Sequence, residues 1–129
     1  MSERPRGEAS DGERQRLERQ TDRNLRGLEH EQAGEIDAAI ALYEANVADG
    51  FEGDWPYGRL VAAYEKLGRL DQAERVLLRA IDVFTSSERR TAQDRKSTLR
   101  AFKGRLRLVQ RAAKQAAKPP PARRRIAPG

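Results

Sequence analysis

The sequence contains no cysteine, one histidine, one tryptophan and one methionine among 129 residues. The absence of cysteine excludes disulfides, thiolate metal sites, iron-sulfur clusters and cysteine nucleophiles together, and it suits a reducing cytoplasm. The lone histidine, His30, cannot assemble a metal site by itself, and a structural role is expected for it rather than that of a base or ligand. Long hydrophobic runs are also missing. No stretch approaches the roughly 18 apolar residues of a membrane span, and Met1-Ser2-Glu3-Arg4-Pro5-Arg6-Gly7 lacks the apolar centre of a secretory signal. The expectation is a soluble, cytoplasmic chain with no membrane partner.

Catalytic signatures are lacking as well. There is no glycine-rich phosphate loop, no serine-centred nucleophile elbow and no paired metal motif. The carboxylates Glu29, Glu31, Glu35 and Asp37 are close in sequence but are divided between two helices and a turn, with no apolar pocket to raise a pKa, and read as solvated charge. No catalytic residue, cofactor or metal is therefore expected, and the protein is read as a non-enzyme.

What the chain does have is helix-forming residues and charge. Hydrophobic residues make up 37% and charged residues 36%, a balance between a packed globule and a solvated chain, which predicts one small domain with disordered ends. Alternation with period two is absent, no Asn-Gly hairpin signal occurs, and Ala, Leu, Glu and Arg dominate over β-branched residues. The fold class is therefore all-α.

Five helices are predicted. Ser10-Asp11-Gly12-Glu13 reads as a capping-box start, followed by Leu17, Thr21, Leu25 and Leu28 at helical spacing up to about Ala33. Gly34 ends that helix. The second runs from Ile36 to Ala48 with a stripe of Ile36, Ala39, Ile40, Tyr43 and Val47, closed by Asp49-Gly50. Asp54 followed by Trp55-Pro56 reads as the cap and first turn of a third, carrying Leu60, Ala63, Tyr64 and Leu67 and ending at Gly68. The fourth spans about Asp71 to Phe84 and buries Ala73, Val76, Leu77, Ala80, Ile81 and Phe84. Thr85-Ser86-Ser87-Glu88 offers another capping box, from which a fifth helix extends from Ser87 to Ala117 with a seam at Leu99, Phe102, Leu106, Val109, Ala113 and Ala116. Lys118-Pro119-Pro120-Pro121 stops it.

The helices repeat. At an offset of 34 residues, Gly34 pairs with Gly68, Ile36 with Leu70, Asp37 with Asp71, Ala39 with Ala73, Leu42 with Val76, Tyr43 with Leu77 and Val47 with Ile81; Glu31 matches Glu65, His30 matches Tyr64 and Ala33 matches Leu67. One helix-turn-helix unit is written twice. Small residues at Ala39 and Ala73 let the paired helices approach, while Gly34 and Gly68 form the turn.

This unit resembles the tetratricopeptide repeat. Leu60, Tyr64, Gly68, Ala73 and Ala80 carry the match in the second unit, and Gly27, Gly34, Ala39 and Tyr43 in the first, where His30 stands for the usual aromatic and Asn46 for a small residue; neither unit has the closing proline. The match covers about residues 20 to 84. Two units need a cap to cover their apolar face, and the fifth helix is the expected one. The resulting organisation is a disordered mixed-charge arm over 1–12, a helical domain over 13–117 (unit one about 20–53, unit two about 54–87, cap about 88–117) and a disordered basic tail over 118–129.

The resemblance implies a non-enzymatic adaptor that holds a protein or peptide segment in a short groove lined by the first helix of each unit, here Asn24, Leu28, Glu31 and Gln32 with Trp55, Ala62, Glu65 and Lys66. Trp55 and Tyr57 would either anchor the partner or pack between the units.

A second candidate surface follows from charge. Residues 21–54 carry two basic groups against nine acidic ones, whereas residues 88–129 carry fourteen against only Glu88 and Asp94, a local balance of +12 within a chain of net charge +6. On the fifth helix Lys96, Arg100, Lys103, Arg107, Arg111 and Lys114 share one face, and Arg123, Arg124 and Arg125 would extend it. Such a row either tracks nucleic-acid phosphates or an acidic protein, pairs with the acidic first unit, or is simply solvated. No aromatic interleaves it to stack on bases. The chain is expected to be a monomer or a weak homo-oligomer, since the fifth helix has a heptad-like rhythm.

Overall fold

A computed structural model describes residues 10–118 as five α-helices: α1 Asp11–Gln32, α2 Ile36–Ala48, α3 Trp55–Lys66, α4 Leu70–Ser86 and α5 Ala92–Ala117. The protein is all-α, with no strand among the described residues. Each helix packs on its neighbours in sequence. The pairing within the first hairpin is antiparallel: Tyr43 meets Gly27 and Glu31, and one turn later Asn46 meets Asn24 and Gln20. Phe84 lies against Phe102, and Glu74, ten residues earlier on α4, lies near Gln110, so α4 and α5 are also antiparallel.

The two tight turns are the same object. Gly34 has φ 77° and Gly68 φ 73°, a left-handed conformation that glycine adopts without the cost a Cβ imposes. At the first, the amides of Ala33, Gly34 and Glu35 donate to the carbonyls of Glu29, Glu31 and His30; at the second, those of Leu67, Gly68 and Arg69 donate to Ala63, Glu65 and Tyr64. Both satisfy the last carbonyls of a helix in one pattern. Ala39 and Ala73 follow at matching positions, 1% and 0% exposed, and Tyr43 and Leu77 are buried beside them. The 34-residue sequence repeat is thus a repeat of backbone geometry.

The core lies between the hairpins and under α5. Tyr57, Phe84 and Phe102 form a ring cluster with centroids 5.3 to 6.1 Å apart, surrounded by buried Leu60, Val61, Val76, Leu77 and Ala80. From α5, Phe102 and Val109 are buried and Leu99 and Leu106 pack against the cluster. The seam closes there: Ala113 is half-buried and Ala116 exposed.

Four expectations need correction. The helix α1 starts at Asp11, with the Ser10 hydroxyl accepting from the Glu13 amide at 3.1 Å, so the domain begins before residue 13; residues 1–9 of the proposed arm and 119–129 of the proposed tail lie outside the described residues. The stripe Leu17, Thr21 and Leu25 is exposed, and α1 instead buries Gln20 and Gly27. Gly27 turns inward because Tyr43 needs the room, and Asn46 fixes the same register by donating to the Gln20 carbonyl at 2.7 Å and to Asn24 at 2.8 Å. The helix α5 starts at Ala92, capped by Thr91, whose hydroxyl accepts from the Asp94 amide at 3.1 Å. Ser86 remains in α4, and Ser87 is buried, its carbonyl accepting from Arg95 at 2.6 Å. Asp54 occupies the cap position of α3, but its side chain makes no capping bond.

Candidate functional site

The residues singled out for a groove fall on α1 and α3, and the structure joins some of them through a residue the sequence reading passed over. Glu31, near the end of α1, accepts from Tyr43 Oη at 2.9 Å and from both Nε and Nη2 of Arg59 on α3. The Arg59 guanidinium also lies 5.8 Å from the ring centroid of Trp55, one turn earlier on α3. A carboxylate, a phenol, a guanidinium and an indole are therefore linked across the junction of the two hairpins. Burial, followed by the hydrogen bond to Glu31, pushes the Tyr43 phenol up to about 12, and that carboxylate holds the Arg59 guanidinium more firmly protonated. The i, i+4 spacing of Trp55 and Arg59 was the available sequence signal.

Trp55 is 42% exposed, so its indole is held on one side and open on the other. Tyr57 is not a groove residue: it is fully buried and donates to the Phe51 carbonyl at 2.7 Å. Asn24 is half-buried, its side-chain oxygen occupied by Asn46. Leu28 and Ala62 are half-buried, while Gln32 and Lys66 are exposed at the ends of their helices. Glu65 faces Arg105 of α5 at 3.4 Å, extending this surface toward the last helix, where Leu108 is 62% exposed. His30 sits 3.6 Å from Glu35 across the first turn.

A second junction repeats the chemistry of the first. Tyr64 of α3 donates to Glu44 of α2 at 2.9 Å, and Arg75 of α4 bonds the same carboxylate oxygen. Burial, followed by this hydrogen bond, raises the Tyr64 phenol to about 12. Arg23 meets Asp49 at 2.6 Å, and Arg89 meets both Glu13 and Glu52, at 3.0 and 3.4 Å. The acidic first unit is thus answered by arginines of α1, α3, α4 and the α4–α5 connector.

The six cations of α5 do not take part. Lys96, Arg100, Lys103, Arg107, Arg111 and Lys114 are all exposed, and among the described residues none makes an ion pair or side-chain hydrogen bond with the rest of the protein. The option in which this helix neutralises the acidic unit is therefore not realised. A shallow trough of about 370 Å³ runs along this face over Ala92 and Leu99, between Lys96, Arg100, Lys103 and Arg107. Arg123, Arg124 and Arg125 lie outside the described residues.

A larger cleft of about 500 Å³ separates the first half of α1 from the α2–α3 connector and the end of α4, with Leu17, Phe51 and Val83 on its walls. Its arginines are engaged: Arg16 bonds the Asp49 carbonyl, Arg79 those of Val47 and Ala48, and Arg89 bridges Glu13 and Glu52. It reads as the seam where the overhanging start of α1 is strapped down. Among the described residues no group of three or more His, Cys, Asp or Glu is placed to hold a metal ion, and no helix is long and apolar enough to cross a membrane. Comparisons with protein-family models, curated proteins and solved structures find no match to this chain.

Proposed function

We propose that the protein is a small non-enzymatic interaction module of the tetratricopeptide kind, with α1–α2 and α3–α4 as its units and α5 as the terminal helix. The face carrying Leu28, Trp55, Arg59, Ala62 and Lys66 holds a segment of a partner protein. The observation that carries the reading is the second turn, which reproduces the first 34 residues later: the glycine ending is shared also by Gly50, but only Gly34 and Gly68 are followed by a residue of φ -90° and ψ near 70°, Glu35 and Arg69, that leads straight into the next helix. A stack built this way presents one helix of each unit to the same side, a surface suited to an extended ligand.

Trp55 is the anchor in this reading. Large aromatics contribute most where they are rigid before binding, and the indole is steadied by Arg59, itself fixed by Glu31. Lys66, one and a half turns past Ala62's neighbour Val61, adds a cation at the end of the surface for an acidic residue of the segment. Glu31 and Glu44 are bonded to tyrosine and arginine, roles that hold the helices of the two units together. A cytoplasmic setting goes with the reading, since a chain without cysteine needs no oxidising compartment to fold.

The test is affinity capture from a cell extract with the full chain, Trp55→Ala and Lys66→Ala, with helicity followed by circular dichroism. A protein retained by the wild type and lost from both folded variants supports the reading. Equal retention by all three removes the groove from consideration.

A further inference from the structure

A row of cations left without internal partners needs an explanation where the same protein pairs so many others. Arg23, Arg59, Arg75, Arg89, Arg90 and Arg105 each meet a carboxylate. The six cations on the outer face of α5 meet none among the described residues, while Glu31, Glu44, Asp49 and Glu52 of the acidic first unit are engaged by other arginines. Their spacing is regular. From Lys96 to Lys114 the steps are four, three, four, four and three residues, which places about one positive charge per 5.4 Å turn along about 27 Å of helix.

The chemistry of the face distinguishes the anions it suits. Protein interfaces are depleted in lysine, enriched in arginine and anchored at their centres by large side chains seated in pockets, so what separates a protein from a polyanion here is the anchor rather than the three arginines of the stripe. Here Phe102 and Val109 point into the core, and Leu99 and Leu106 pack against it. The face therefore offers charge along a line, and the apolar surface in its trough is limited to Ala92 and the half-buried Leu99. It also offers no aromatic ring, so unstacked bases of a single strand gain nothing there. An evenly spaced row of cations suits an evenly spaced row of anions, and the phosphate backbone of a duplex is that ligand. Lys96, Arg100, Lys103 and Arg107 line one trough on this face, so their charges reach the same strand of phosphates.

We propose that the outer face of α5 binds the phosphate backbone of duplex nucleic acid without reading its sequence. This surface is separate from the face of Leu28, Trp55, Arg59, Ala62 and Lys66, and the proposal stands whether or not that face binds a protein. Binding is driven by release of counterions from the duplex, and phosphates contacted by these cations set its salt dependence.

The experiment is fluorescence anisotropy of a labelled mixed-sequence DNA duplex with the full chain over a salt series. Six phosphate contacts give a slope of log affinity against log salt near −5, at about 0.9 per contact. The variant K96Q/R100Q/K103Q/R107Q flattens that slope by about 3 to 4 and weakens binding by at least about a hundredfold near 0.1 M salt. The variant R14Q/R19Q/R26Q/R69Q removes the same number of exposed charges elsewhere and keeps the wild-type slope. R100K/R107K, which preserves the charges, retains the binding, and thermal melts followed by circular dichroism check that all variants fold. The proposal is overturned if the wild type fails to bind, if the stripe variant binds like the wild type, or if both quadruple variants lose affinity equally, since net charge alone then governs. Competition by polyglutamate as effective as that by unlabelled duplex would assign the face to an acidic protein instead.

Discussion

The ring of Tyr43 occupies the space that a side chain at Gly27 would fill: a Cβ built there would stand 2.5 Å from Tyr43 Cε1 and 2.8 Å from Cζ. Tyr43 is 1% exposed and its hydroxyl is tied to Glu31, so the ring cannot swing aside cheaply. Gly27→Ala should therefore destabilise the protein, although alanine is the better helix former by about 1 kcal/mol. Overpacking of this kind costs about 1–3 kcal/mol. In a Tyr43→Leu background the obstacle is gone and Gly27→Ala should turn stabilising. Urea denaturation of the four proteins in this cycle checks the reversal of sign.

Gly58 lies inside α3 with nothing near the position of a Cβ, and its φ is not positive. Gly58→Ala should raise stability by about 0.5–1 kcal/mol through helix propensity alone. Gly34 is equally open but has φ 77°, and Gly34→Ala should cost about 1–2 kcal/mol from backbone strain. The pair separates space from conformation, and thermal melts should move in opposite directions.

Much of the fold was legible because apolar spacing and turn chemistry agree in it. The second helix was readable from Ile36 to Ala48, and Gly34 and Gly68 marked turns that the structure makes alike. The face of α1 was legible only at Gly27, which the repeat pattern marks; the rest packs through Gln20 and Asn24, and a search for leucines selects Leu17 and Leu25, which are 43% and 57% exposed. The start of α5 was misplaced because Ser87 has the residue type of a good cap; Ser87 is instead buried at the end of α4, and Thr91 caps α5. Of the candidate site, Trp55 was singled out by the repeat resemblance and by its large aromatic side chain, and its indole is 42% exposed. Arg59 was missed because one arginine among many carries no mark until its partners Glu31 and Tyr43 are brought beside it from two other helices.

Asn46 takes the place held in the second unit by Ala80, and both are buried. It donates to the Gln20 carbonyl and to Asn24, and accepts from Arg23 at 3.2 Å. Making the first unit resemble the second by Asn46→Ala would leave these groups short of partners within the α1–α2 interface. The loss should be about 2–3 kcal/mol. Hydrogen exchange should show the protection loss concentrated in α1, with the amides of α4 less affected.

The two carboxylate-bonded tyrosines should make the protein sensitive to alkali. Tyr43 and Tyr64 have pKa values raised from 10.0 to about 12, in each case by burial first and then by a carboxylate partner, Glu31 or Glu44. The folded protein therefore holds these protons more tightly than the unfolded chain. Below pH 10 both states are protonated and the contribution to stability is complete; between pH 10 and 12 the unfolded chain ionises first, and stability falls as pH rises. Tyr57 is shifted upward too, by burial, and adds to the same trend. Tyr43→Phe and Tyr64→Phe should each lower stability at neutral pH by about 1 kcal/mol, the worth of one hydrogen bond. Each should also flatten the decline above pH 10, because phenylalanine has no proton to lose. Melting temperature against pH, read beside phenolate absorbance, tests this; a decline as steep in Tyr43→Phe/Tyr64→Phe as in the wild type would assign the alkaline loss to other groups.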